Sequence, residues 1–327
     1  MPDARPAADS PAAPVAELVR NDFVEGRHHG SVVALNSDGS VSWAVGVVDA
    51  PMLPRSCAKP LQAVAMVRAG LPLRGELLAL AAASHSGERF HIDGVRRILA
   101  GVGLDDDALQ TPPDLPLDDV ERARVLAAGG DRTRVAMNCA GKHAAMIVTC
   151  VVNGWDTRTY LDPSHPVQRG IVATVEDLTG VPVEVIAVDG CGAPLLSTTL
   201  TGLARAFGRL ATVEEPAVAA VAGAVRDHPE WVSGTRRDER ALLRAVPGAV
   251  AKAGAEGCYA VALPDGRSVA LKVEDGSARA RPVVMAAALE RLGVLEEPGV
   301  DGAAVLATGR HLVLGGGRPV GELRPLL

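Results

Sequence analysis

The chain has 327 residues, 48% of them hydrophobic, and a formal net charge of -6. That size and apolar content suit one large globular core. The acidic balance and only eight aromatic residues (three Phe, three Trp, two Tyr) provide neither a basic footprint nor a stacking platform, so nucleic acid is excluded as a partner. No apolar run approaches about 18 residues without Gly, Pro or charge, which excludes a membrane-spanning helix.

The opening MPDARPAADSPAAP lacks the basic and apolar regions of a signal peptide, so the expected location is the cytoplasm. Residues 1–14, rich in Ala and Pro, read as a disordered lead, and residues 15–327 as a single domain. The stretch ELVRNDFVEGRHHGSVVALNSDGSVSWAVG reads as an antiparallel hairpin turning at NSDGS. Helices are expected over 58–69, 74–83, 91–100, 118–127, 142–152, 167–178, 195–206, 214–226 and 237–245, each bounded by Gly, Pro, Asp or Ser. A second hairpin, GCYAVALPDGRSVALKVEDG, follows at 257–276 with its turn at PDG. A further helix over SARARPVVMAAALERLGVL leads to a last strand pair around the triple glycine of HLVLGGGRPVGELRPL. That triple glycine is no phosphate loop, because no Lys followed by Ser or Thr opens a helix after it. The expectation is an α+β fold: an antiparallel sheet from both chain ends, covered by helices, with a helical region inserted mid-chain. The loop HPEWVSGTRRDE (228–239) reads either as a mobile flap or as an ordinary loop.

Lysine is scarce: Lys59, Lys142, Lys252 and Lys272 stand against 29 arginines. Lysine, unlike arginine, can lose its proton and serve as base or ligand. In RSCAKPLQ, Ser56 and Lys59 fall three apart near a helix start, so hydroxyl and amine share one face, the spacing of a serine nucleophile with a lysine base. In AAASHSGERFH, Ser84, His85, Ser86 and Gly87 end a run of alanines, either as functional groups or as a serine-rich cap. In VALKVEDG, Lys272 points from its strand opposite to Leu271, toward solvent or toward a cleft under the helical region. MNCAGKHAAM and VDGCGAP supply Cys139, Lys142, His143 and Cys191. Two thiolates with one nitrogen and an open position suit zinc, and imidazole is the commoner nitrogen ligand, which favours His143. A buried pair of small hydrophobes, or a disulfide, is the alternative. The five cysteines, Cys57, Cys139, Cys150, Cys191 and Cys258, are odd in number and argue for reduced thiols.

Taken together and in order, RSCAKPLQ, SHSGE, NCAGKHAAM, DGCGAP and LKVEDG, spanning residues 55–276, resemble the L-asparaginases of the third structural class, the asparaginase II sequence family. The resemblance implies a serine-β-lactamase-like fold, hydrolysis of L-asparagine to L-aspartate and ammonia, and a homodimer. It implies two Ser-Lys tandems, Ser56 with Lys59 and Ser84 with Lys272, and one zinc held by Cys139, Lys142 and Cys191, with lysine in place of His143. Lys252 is then left as an ordinary surface residue. Arg55, Asn138, His143 and Asp189 adjoin these motifs as substrate contacts, Arg55 for an α-carboxylate and Asp189 for an α-ammonium.

Three other readings share these residues. Penicillin-recognising enzymes also begin with Ser-x-x-Lys, but Lys272 is followed by Val-Glu-Asp-Gly rather than Thr-Gly or Ser-Gly. A zinc-dependent binding protein would use the same scaffold without turnover. Glutamine, one methylene longer than asparagine, is a rival substrate that a pocket distinguishes by only about 1–3 kcal/mol.

Overall fold

The computed structural model describes residues 12–327. The lead expected over residues 1–14 falls, through residue 11, outside the described residues. Strands β1 (Ala13–Arg20) and β2 (Phe23–Leu35) form a hairpin across Asn21 and Asp22, whose φ values are 45° and 64°. Asn and Asp tolerate the left-handed backbone that a two-residue hairpin loop needs to match strand twist. The expected NSDGS turn then reverses the chain into β3 (Val41–Val45), with Gly39 at φ 82°.

The middle of the chain is helical. A 3₁₀ turn at Arg55–Ala58 leads into α1 (Lys59–Arg68), followed by α2 (Gly75–Ala81), α3 (Arg89–Ala100), α4 (Asp119–Ala127), α5 (Ala140–Asn153) and α6 (Pro166–Thr179). The helix expected over 195–206 is displaced. Pro194–Leu196 forms a short strand, β5, on β4 (Ile186–Val188), and the helix α7 occupies Leu200–Thr212. Thr199 sets that start, since its hydroxyl accepts from Gly202 N at 2.9 Å. After α8 (Pro216–Asp227) come a single turn α9 (Pro229–Val232) and α10 (Asp238–Ala245).

The chain then returns to the sheet through β6 (Val250–Ala253), β7 (Cys258–Ala262) and β8 (Ser268–Val273), and after α11 (Ala280–Arg291) and α12 (Gly302–Thr308) through β9 (Leu312–Gly315) and β10 (Arg318–Pro325). The order is β6-β7-β8-β2-β1-β10-β9, with β3 added on β2, and every pairing is antiparallel. Both chain ends thus build one sheet, as expected, and the helical region is inserted between them. Every residue of β7 is buried, which requires cover on both faces. Helices α7 and α11 pack on β7 and β8 to supply it. No helix among the described residues is long and apolar enough to cross a membrane.

Lys252 is not a surface residue: on β6 it is fully buried, and its Nζ donates to Glu239 Oε1 at 2.8 Å and Oε2 at 3.1 Å. An ammonium without solvent survives only with such a partner. The segment 228–239 is no free flap. Glu88 accepts from Thr235 N and Thr235 Oγ1, both at 2.7 Å, and Arg236 reaches Asp118 at 2.8 Å and Glu121 at 2.8 Å.

Candidate active site

Ser56 lies in the 3₁₀ turn and Lys59 opens α1, so the i, i+3 spacing sets both on one side of the chain. Arg55, just before them, has φ 50°, unusual for a residue with a long side chain. Lys59 is 1% exposed and has no carboxylate partner. Its Nζ donates to Ala83 O at 2.6 Å and to Ser84 Oγ at 3.0 Å. Ser84 follows α2, and its backbone is fixed by donation of its N–H to Val232 O at 3.1 Å. The hydrogen bonds therefore differ from the two separate tandems: Lys59 meets Ser84. Lys272 instead donates to Glu256 O at 2.6 Å and thereby holds a residue whose φ is 53°. Ser56 Oγ has no partner among the described residues.

Ser56, Ser84, Ser86 and Asn138 line one cleft of about 640 Å³, walled on the far side by Arg237, Gly254 and Glu256. Of the expected substrate contacts, only Asn138 faces it. Arg55 Nε donates to Asp189 Oδ1 at 2.8 Å and its Nη1 to Glu256 Oε1 at 3.3 Å, so Arg55 and Asp189 engage each other. His143 is buried, with Nδ1 2.7 Å from the Tyr160 hydroxyl and Nε2 unpartnered.

A donor cluster lies behind this wall. Cys139, Asp189 and Cys191 present ligand atoms all within 4.8 Å of one another, and Lys142 Nζ is 3.4 Å from Cys191 Sγ. Hydrogen bonding to Cys191 and burial push the Cys139 thiol up, whereas hydrogen bonding from Cys139 and, against the effect of burial, the Lys142 charge hold Cys191 well below the usual thiol range. Burial alone lowers the Lys142 pKa, but the Cys191 thiolate, Cys139 and Asp189 outweigh it and raise that pKa above its ordinary value. Two sulfurs, a carboxylate and an amine are a donor set that fits zinc. Asp189 joins the expected set, while the free Nε2 of His143 stands next to Cys191, which opposes the lowering of its pKa by burial.

Two residues of this region escape sequence reasoning. Arg237 is one arginine of 29 with no motif around it. Ser86 sits in a recognised motif, but only its burial without a partner marks it out.

Two serines and a buried lysine amine thus meet at one cleft, under a sheet made from both chain ends. The L-asparaginase II model matches residues 16–325, and the chain belongs to that family, whose members are hydrolases acting on amides. No curated protein matches the chain. Among solved structures, Mglu in its native form shares 13% identity over 82% of this chain, with a TM-score of 0.45. This chain spans 62% of that one. A β-lactamase (Mb2281c) from Mycobacterium bovis shares 12% over 80% of this chain and 94% of that one, with a TM-score of 0.41. EstCE1, a hydrolase with promiscuous acyltransferase activity, shares 13% over 78% of this chain and 92% of that one, with a TM-score of 0.42.

Proposed function

We propose that the protein hydrolyses L-asparagine to L-aspartate and ammonia through an acyl-enzyme on Ser56. The observation that carries this reading is the 3.0 Å contact of Lys59 Nζ with Ser84 Oγ in the wall of the cleft that also holds Ser56. A neutral lysine amine has two hydrogens and one lone pair. With both hydrogens directed at Ala83 O and Ser84 Oγ, the lone pair remains for a third group, a role we assign to the Ser56 hydroxyl, three residues before Lys59 and in the same cleft as Ser84.

Lys59 takes the proton of Ser56 as its oxygen attacks the side-chain amide carbon. The new carbon–oxygen bond forms, the carbon–nitrogen bond breaks, and the proton passes from Lys59 by way of Ser84 to the leaving nitrogen, which departs as ammonia. Water then adds to the ester, giving its proton back through the same pair, and Ser56 is released. Lys272 acts at a distance by fixing the Glu256 carbonyl in the cleft wall. Cys139, Cys191, Asp189 and Lys142 would hold zinc, with Lys142 giving up its proton to bind. When bound, zinc supplies a fixed positive charge in place of that proton, at the far end of the Arg55–Asp189 link.

The test is ammonia release from L-asparagine and, in parallel, L-glutamine by the wild type and the Ser56→Ala, Lys59→Ala and Ser84→Ala variants. Activity on asparagine that is lost in the first two supports the reading. Silence of the wild type on both amides, with or without zinc, overturns it.

A further inference from the structure

We propose that Arg237 and Ser86 form the subsite that receives a substrate carboxylate, so that the cleft selects amides bearing a free carboxylate group. This rests on the amidohydrolase reading and adds what that reading lacks, a cation for the acid end of the substrate.

Five consecutive residues, Arg236, Arg237, Asp238, Glu239 and Arg240, are charged, and Arg240 Nη1 donates to Thr235 O at 3.5 Å. Three of them are paired. Arg236 reaches Asp118 and Glu121, Asp238 accepts from Arg281 at 3.0 and 3.2 Å, and Glu239 is bound to Lys252. Arg237 alone has no acceptor among the described residues, although it is half-buried and lines the cleft. A guanidinium carries five donors and cannot shed its charge, so burial without an acceptor is unfavourable unless an anion comes to it.

The other arginines of the cleft do not compete. Arg281 belongs to Asp238, Arg279 Nε is directed at His28 Nε2 at 3.3 Å, and Arg310 is exposed, where an unpaired guanidinium is ordinary. Arg55, the cation expected from sequence, is occupied by Asp189 and Glu256. The acidic residues of the same wall are paired in turn, Asp118 with Arg236, Asp119 with Arg122, Asp238 with Arg281 and Glu256 with Arg55, which leaves Arg237 as the half-buried cation of the wall without a carboxylate among the described residues.

Ser86 provides the second, independent observation. Its side chain is 1% exposed, its Oγ has no hydrogen-bond partner, and it faces the same cleft as Ser56 and Ser84. A buried hydroxyl left unpaired costs about 1–3 kcal/mol, so such a group in a pocket wall marks a ligand position. Gly234 makes the room: with φ 145°, a Cβ there would collide with Ser86 Oγ. A carboxylate has two acceptor oxygens, one for the guanidinium and one for a hydroxyl, and this pair offers both donors.

The experiment compares L-asparagine with its α-carboxamide analogue, in which the carboxylate is replaced by a neutral amide, across wild type, Arg237→Gln, Arg237→Lys and Ser86→Ala, each checked for an unchanged melting temperature. The expected result is a KM for L-asparagine raised about 10- to 100-fold in Arg237→Gln with kcat little changed, as a charge-assisted pair predicts. Arg237→Lys should recover part of the loss and Ser86→Ala show a smaller one, while turnover of the analogue is unaffected by any of them. Equal losses on both substrates, or no loss on either, would overturn the subsite. Calorimetric titration with L-aspartate reads the subsite without turnover. Binding to the wild type that disappears in Arg237→Gln upholds it even if no ammonia is released, and absence of binding to the wild type refutes it.

Discussion

Arg55 Nε donates to Asp189 Oδ1 at 2.8 Å, joining the residue that precedes Ser56 to the loop that carries Cys191. The same guanidinium reaches Glu256, and both Arg55 and Glu256 have left-handed backbone, with φ of 50° and 53°. Non-glycine residues hold that conformation only where their surroundings impose it. The nucleophile turn and the donor cluster are therefore coupled mechanically. Asp189→Asn removes the charge that holds Arg55. It should lower kcat on L-asparagine about 10-fold or more and weaken zinc binding together, a joint loss readable by steady-state kinetics and equilibrium dialysis.

Cys139→Ser and Cys191→Ser test the metal assignment directly. The wild type should take up one zinc per chain, and either variant should bind it about 10- to 100-fold more weakly or not at all, as measured by dialysis against zinc and elemental analysis. Retention of full affinity in both would remove these thiols from the ligand set.

The buried Lys252–Glu239 pair predicts non-additive stability. Lys252→Met or Glu239→Leu alone leaves an uncompensated buried charge and should cost about 3–5 kcal/mol in urea unfolding. The double variant should be more stable than either single one. If the double loss equals the sum of the single losses, the pair is not coupled.

A pH dependence follows from two stacked histidines. His85 and His91 lie with ring centroids 5.3 Å apart, and burial lowers both pKa values, that of His91 to about 4 from 6.5. The unfolded chain then binds more protons than the folded one between about pH 4 and pH 6.5. For His91 the stability is fully present above pH 6.5 and is lost as the pH falls toward 4, at up to about 1.4 kcal/mol per pH unit, and His85 acts in the same direction. Urea midpoints should fall from pH 7 to pH 5, and His91→Gln should flatten that slope. An equally steep slope in the variant would place the effect elsewhere.

Much of this architecture is legible in the sequence, because turn chemistry and apolar period are local properties. NSDGS, PDG and the glycines before Arg318 mark three hairpins, and the alternation or helical period around them locates the sheet and the inserted helices. What is hidden depends on tertiary partners. Lys252 reads as a surface lysine because nothing local announces Glu239, thirteen residues earlier and across the fold. The helix placed at 195–206 lies at 200–212 because the β4–β5 pairing claims Leu195 and Leu196 first. The serines and lysines of the cleft are visible as motifs, yet their partners are not: spacing suggests Ser56 with Lys59, while folding brings Ser84 to within 3.0 Å of the same amine. Arg237 becomes distinctive only once the acceptors of its neighbours are known.

The central claim, that Lys59 activates Ser56 for acyl transfer, is tested most directly by rapid-quench mass spectrometry of the protein during turnover of L-asparagine, followed by peptide mapping. The account predicts an aspartyl adduct on the peptide holding Ser56, absent from Ser56→Ala and from Lys59→Ala, and formed about 10²- to 10⁴-fold more slowly in Ser84→Ala. An adduct on Ser84 instead, or full turnover by Lys59→Ala, would contradict it.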